Sequence, residues 1–68
     1  MRAWLIRERR SRKQTQLDLA SELGISRAYL AQIELGARNP SVRVAKKLAA
    51  ALSFDWTRFF DEPDAKTD

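Results

Sequence analysis

Gly24 and Ser26 stand two residues apart, so a helix stop is followed almost at once by a helix start. Glycine accepts the positive φ with which helices commonly end, and serine is among the best N-caps. Two helices joined by so short a turn must cross closely, and close crossing makes demands on the residues around it. One residue must be small, and Ala20 is placed for it. Four apolar residues must fill the crossing and the core beneath, and Leu19, Ile25, Leu30 and Ile33 occur at the required positions. The segment Gln16–Leu35 therefore reads as a helix, a three-residue turn and a second helix.

The rest of the chain follows the same punctuation. Helical periodicity is the only regular pattern, and no alternating β-branched run competes with it. The expectation is an all-α fold of five short helices in a compact helix-turn-helix domain. The first helix runs from about Arg2 to Arg12. Thr15, with Asp18 three residues on, has the spacing of a capping box and opens the second helix, which Gly24 ends. Ser26 caps the third, about Arg27 to Leu35, and Gly36 stops it. Asn39-Pro40 marks a loop, because the residue before proline is pushed out of the α region. Ser41 caps a fourth helix with Val42, Ala45, Leu48, Ala49 and Leu52 on its apolar stripe. Asp55 caps a fifth, Trp56 to Phe60. Residues 1–60 are expected to form the domain, and residues 61–68 an acidic, disordered tail.

Composition limits the chemistry. A chain of 68 residues buries only about 60% of the surface its unfolded form exposes. With no cysteine, neither a disulfide nor a thiolate metal site can compensate. With no histidine, the usual metal ligand and the usual general base at neutral pH are missing. Carboxylates Asp18, Glu22 and Glu34 are scattered over helices without a glycine-rich phosphate loop or ligand cluster. An enzyme is not expected, nor a metal or cofactor. No apolar run approaches the ~20 residues of a membrane span, and the N-terminus is too short and polar for a signal peptide. A soluble, cytoplasmic protein is expected.

Charge points to a polyanion. The net charge is +4, but residues 1–13 carry six basic side chains against Glu8 alone, whereas residues 54–68 carry −3. Lysines and arginines that neutralise phosphates release condensed counterions, the main source of affinity for nucleic acid.

Three runs of residues carry a family resemblance: Thr15-Gln16-Leu17-Asp18-Leu19-Ala20, Leu23-Gly24-Ile25-Ser26, and Ile33-Glu34-Leu35-Gly36-Ala37-Arg38-Asn39-Pro40-Ser41. Over about residues 3–60 the chain resembles the phage Cro/CI repressor, or Xre, family of helix-turn-helix DNA-binding proteins. Phe54-Asp55-Trp56 through Phe59-Phe60 resembles a branch common in phages and Gram-positive bacteria. The resemblance implies a λ-repressor-like fold and a bacterial or phage-encoded transcriptional regulator, a repressor or autoregulator, on an inverted-repeat operator in double-stranded DNA. The alternative is a restriction–modification control protein or an antitoxin-type protein-interaction module. A protein partner such as an antirepressor or polymerase is left unassigned. Four positions depart from the family pattern. Lys13-Gln14 replace Gly-Leu, so the first helix lacks an easy left-handed stop; Glu8 replaces an aliphatic residue; Leu35 replaces asparagine and should be exposed.

In this geometry the third helix lies in the major groove with its N-terminal residues at the base edges. Leu30 and Ile33 face the core, which turns positions 27, 28, 31 and 32 outward. Arg27 is the candidate for a bidentate grip on guanine, Gln32 for adenine, and Ala28 for a thymine methyl. Gln16, Tyr29, Arg38, Asn39, Ser41 and Arg43 are the candidate phosphate contacts. Arg2 and Arg12 are expected on a solvated basic face. By the resemblance, Arg9 and Glu34 form a partly buried, structural salt bridge. Phe54, Trp56, Phe59 and Phe60 put four aromatics within seven residues, more than a helix of that length can turn inward. They are the candidate interface of a homodimer.

Overall fold

A computed structural model describes residues 1–61, all helix and turn. Of the tail expected to be disordered, residues 61–68, all but Asp61 lie outside those described, and Asp61 caps the end of the last helical turn. Two compact units divide the chain, Met1–Arg38 and the segment from Asn39 onward.

The first unit holds α1 (Ala3–Ser11), α2 (Gln16–Leu23) and α3 (Arg27–Leu35), with α3 packed against both others. The starts of α2 and α3 have the caps their sequence foretells. Thr15 Oγ1 accepts from the Asp18 N–H and Asp18 Oδ2 accepts from the Thr15 N–H, both at 3.0 Å, which completes the capping box. Ser26 Oγ accepts from the Tyr29 N–H at 3.0 Å. Leu5, Leu19, Ala20, Leu30 and Ile33 are buried, and Ile25 in the turn is half-buried.

The helix stops share one geometry. After α2, Gly24 takes φ 72°, its N–H donates to Ser21 O, and the Ile25 N–H donates to Ala20 O. After α3, Gly36 takes φ 81°, its N–H donates to Ile33 O, and the Ala37 N–H donates to Gln32 O. Both are Schellman closures, which satisfy carbonyls a helix end would otherwise leave open. The expected lack of such a stop after α1 is corrected: Lys13 itself turns left-handed at φ 57°, with its N–H on Arg10 O and the Gln14 N–H on Arg9 O. The two hydrogen bonds of the closure hold a residue that has no intrinsic preference for that region. Gln14, where the family has an apolar residue, directs its amide to Glu22 Oε1 at 2.9 Å.

The second unit holds α4 (Val42–Leu52) and a 3₁₀ turn (Trp56–Phe60) packed against it. The expected fifth helix is therefore a 3₁₀ element, which suits a segment of five residues capped by Asp55. Ser41 Oγ accepts from the Val44 N–H at 3.2 Å, opening α4. The buried stripe of α4 is Val44, Ala45, Leu48, Ala49 and Leu52, whereas Val42 is exposed. The stripe thus begins at Val44, one turn before Leu48, and the first helical residue stays outside it. Ser53 ends α4 at φ 62°, with the Phe54 N–H returning to Ala49 O.

Candidate nucleic-acid interface

The Ser26 cap and the Gly36 closure fix both ends of α3, and the burial of Leu30 and Ile33 fixes its rotation. Arg27, Ala28 and Gln32 consequently stand exposed, with Tyr29 and Ala31 half-buried beside them. Beyond the Gly36 closure Arg38 is exposed, and its guanidinium lies 5.5 Å from the centre of the Tyr29 ring, a cation–π contact. The exposed cations of α1 and its stop are Arg7, Arg10, Arg12 and Lys13.

Behind α3 runs a connected polar path. Arg9 Nε donates to Glu34 Oε2 at 2.7 Å and Arg9 Nη2 to Glu34 Oε1 at 3.2 Å, with the two residues 7% and 2% exposed. Arg9 Nη1 closes the stop of α1 by donating to Gln14 O at 2.8 Å. Gln16, at the first position of α2, gives its Nε2 to Glu34 Oε1 at 3.0 Å and accepts on its Oε1 from Arg27 Nη1 at 3.3 Å. Only one orientation of the Gln16 amide serves both neighbours, nitrogen toward the carboxylate and oxygen toward the guanidinium. The interior ion pair is thereby joined to the first exposed side chain of α3. The Gln16 and Arg27 positions were each legible in the sequence, but the link through Glu34 was not, because it depends on how α2 and α3 cross.

Two expectations are corrected. Arg2, placed on a solvated face, is 5% exposed: its Nη1 donates to Ile33 O at 2.6 Å and Arg38 O at 3.1 Å, and its N–H donates to Glu34 O at 2.7 Å. A cation at the C-terminal end of α3 is also favoured by the helix dipole, whose negative end lies there. No spacing in the sequence signals this, since arginine is by default a surface residue. Phe59, grouped with the interface aromatics, is fully buried and meets Phe54 edge-on at 5.6 Å between ring centres. Phe60 is 45% exposed and stacks edge-on against half-buried Trp56 at 5.9 Å. Lys46 Nζ lies 5.1 Å from the centre of the Trp56 ring. In this second unit Asn39, Ser41 and Arg43 are exposed, and the Ser41 hydroxyl is engaged as the cap of α4.

A helix-turn-helix family model matches residues 5–59. The chain belongs to the Xre-type helix-turn-helix family. Its members are DNA-binding regulators of transcription rather than enzymes, and this chain is one of them. It is 47% identical over 62 residues to the uncharacterized HTH-type transcriptional regulator YqaF of Bacillus subtilis, covering 91% of this chain and 82% of that protein. It is 44% identical over 59 residues to the HTH-type transcriptional regulator SlrR of Bacillus subtilis, covering 84% of this chain and 39% of SlrR. With the immunity repressor protein of Bacillus phage phi105 it shares 46% identity over 44 residues, 65% of this chain and 31% of that repressor. No solved structure matches the chain. Among the described residues no helix is long and apolar enough to cross a membrane.

Proposed function

We propose that the protein is a sequence-specific repressor that binds an inverted-repeat operator in double-stranded DNA as a homodimer, with α3 in the major groove. The observation that carries this reading is Arg27, exposed at the first position of α3 and already held by Gln16. A guanidinium there meets base edges first, and its fork matches guanine O6 and N7. Gln32, exposed further along α3, reads adenine, and Ala28 packs against a thymine methyl. Gln16, Tyr29 and Arg38 hold phosphates, joined by Asn39, Ser41 and Arg43 of the second unit. The second hydrogen on Gln16 Nε2 remains for that purpose beside the one given to Glu34. Residues 1–60 form the DNA-binding domain. The phage immunity repressor among the relatives supports repression as the output.

The dimer rests on Phe60 with Trp56 and Phe54, because Phe59 is taken up inside the chain. One recognition helix reads too few base pairs to be selective in a genome, and two read enough when set about 34–36 Å apart.

The test is a binding series on operator DNA and on random duplex. Arg27→Ala and Gln32→Ala are each expected to cost ~1–3 kcal/mol on operator and to relax preference at one base pair per half-site. Equal weakening of operator and random DNA by Arg27→Ala refutes the base-reading role. Sedimentation at micromolar concentration tests the dimer. A strictly monomeric species binding singly to operator refutes it, and Phe60→Ala should shift a true dimer toward monomer.

A further inference from the structure

We infer that Arg2 is a positioning residue for DNA binding, which holds Arg38 in place for its phosphate without touching DNA itself. The inference rests on the phosphate role of Arg38 proposed above. Arg2 is basic and stands in the most positively charged stretch of the chain, yet its side chain is withdrawn from solvent. A single nitrogen, Nη1, spans the Ile33 carbonyl in the last turn of α3 and the Arg38 carbonyl beyond the Gly36 closure. The Arg2 N–H takes a third carbonyl, that of Glu34. Three backbone acceptors from the end of α3 and the following loop thus converge on one residue.

The consequence for Arg38 is direct. Its backbone is tied to α3 through Arg2, while its side chain is laid on the Tyr29 ring of the same helix. Anchored at both ends, the Arg38 guanidinium is set relative to the row Arg27, Ala28 and Gln32. The closure bonds made by the Gly36 and Ala37 N–H groups tie down the residues before Arg38, whereas the Arg2 bond takes the Arg38 carbonyl itself. A phosphate contact from a wandering side chain loses the ordering entropy that a preset one avoids.

Salt dependence separates the roles, since each phosphate contact contributes about 0.9 to the slope of log affinity against log salt. In the full chain on operator DNA, Arg38→Ala should lower the slope by about 0.9. Arg2→Met should lower affinity by no more than Arg38→Ala does, and in the double variant neither affinity nor slope should fall below that of Arg38→Ala alone. In the free protein, the Arg38 side-chain protons should lose their ring-current shift from Tyr29 in the Arg2→Met nuclear magnetic resonance spectrum. If circular dichroism shows Arg2→Met unfolded, Arg2→Gln keeps an N–H donor for the carbonyls and enters the same series. Slopes that add in the double variant make Arg2 a phosphate contact of its own and overturn the inference alone. An Arg2 variant with the parent's affinity and an unchanged Arg38 shift overturns it too, leaving Arg2 a helix cap. A normal slope in Arg38→Ala overturns the phosphate role of Arg38, and the inference falls with it.

Discussion

Removing either member of the Arg9–Glu34 pair should be far worse than removing both. Arg9→Met strands a carboxylate that is 2% exposed, with only the Gln16 amide left to it. Breaking a buried pair in this way costs about 3–5 kcal/mol, while a chain of this length has about 3–10 kcal/mol in total. Arg9→Met and Glu34→Leu alone should therefore lose roughly a third or more of that stability and, at the lower end of the range, be largely unfolded. The double variant Arg9→Met/Glu34→Leu removes both charges at once. Such replacements are often neutral or stabilising, but here they also free the Gln14 carbonyl and the Gln16 amide. Both glutamines are half-buried, so water can replace the lost bonds. The double variant should return to within about 2 kcal/mol of the parent, the upper part of the range for such lost bonds. Its DNA binding should not return. With Gln16 unanchored, Arg27 must be ordered on binding, at about 0.5–1.5 kcal/mol for a side chain of its kind, which is roughly 2- to 13-fold in affinity. Urea unfolding followed by tryptophan fluorescence gives the stabilities, and fluorescence anisotropy on operator gives the affinities. A double variant as unstable as the singles would falsify the charge-burial argument. One that binds like the parent would show that Glu34 does not set Gln16.

Gly24→Ala and Gly36→Ala should differ although both residues have positive φ. At Gly24 a Cβ meets nothing within 4 Å, so the cost is the left-handed backbone alone, about 1–2 kcal/mol; at Gly36 it comes to 3.3 Å from Met1 N and adds a displacement of the docked N-terminus. Thermal melts that rank Gly36→Ala as the milder change would contradict this. Lys13→Gly should raise the melting temperature by a few degrees, because the roughly 1–2 kcal/mol relieved at φ 57° exceeds the 0.5–1 kcal/mol of added chain entropy; a lowered melting temperature would show that Lys13 contributes more than a helix stop. Asp18 has its pKa held below the usual carboxylate value by the Thr15 N–H first and the Thr15 hydroxyl second. A depressed folded-state pKa gives stability that is present above the unfolded value, about 3.9, and is lost as pH falls through the lower folded one. The melting deficit of Asp18→Ala should therefore be full at pH 7 and shrink below about pH 4; a deficit unchanged at pH 2 would mean that the charged cap is not its source.

The helix boundaries were legible because each rests on a residue whose local chemistry has few other uses. Thr15, Ser26, Ser41 and Asp55 all cap, and Gly24 and Gly36 both stop. Lys13 and Ser53 perform the same stop without advertising it, because their positive φ is imposed by closure bonds rather than preferred by the residue. The interface residues on α3 follow from Leu30 and Ile33 facing inward, a matter of helical period alone. The assignment of Phe59 inward and Phe60 outward did not follow, since a 3₁₀ turn advances its side chains by a different angle from the α-helix that was expected. Arg2 was illegible for a further reason: its partners are backbone carbonyls some thirty residues away, and carbonyls carry no sequence signature.

The fixed amide of Gln16 narrows what position 27 can become as operators diverge. An acceptor, the Gln16 oxygen, faces that position, and turning the amide over would set its oxygen against the Glu34 carboxylate. Lys or Gln at position 27 brings a donor on a long side chain toward that acceptor, so descendants can exchange guanine for adenine without rebuilding α2. Asp or Glu, the side chains that accept from cytosine, would meet lone pairs with lone pairs. A library randomised at position 27 alone should yield purine readers and no acidic ones. Access to acidic readers requires a companion change at Gln16 or Glu34, so a residue in the interior restricts which regulatory sequences lie one mutation away.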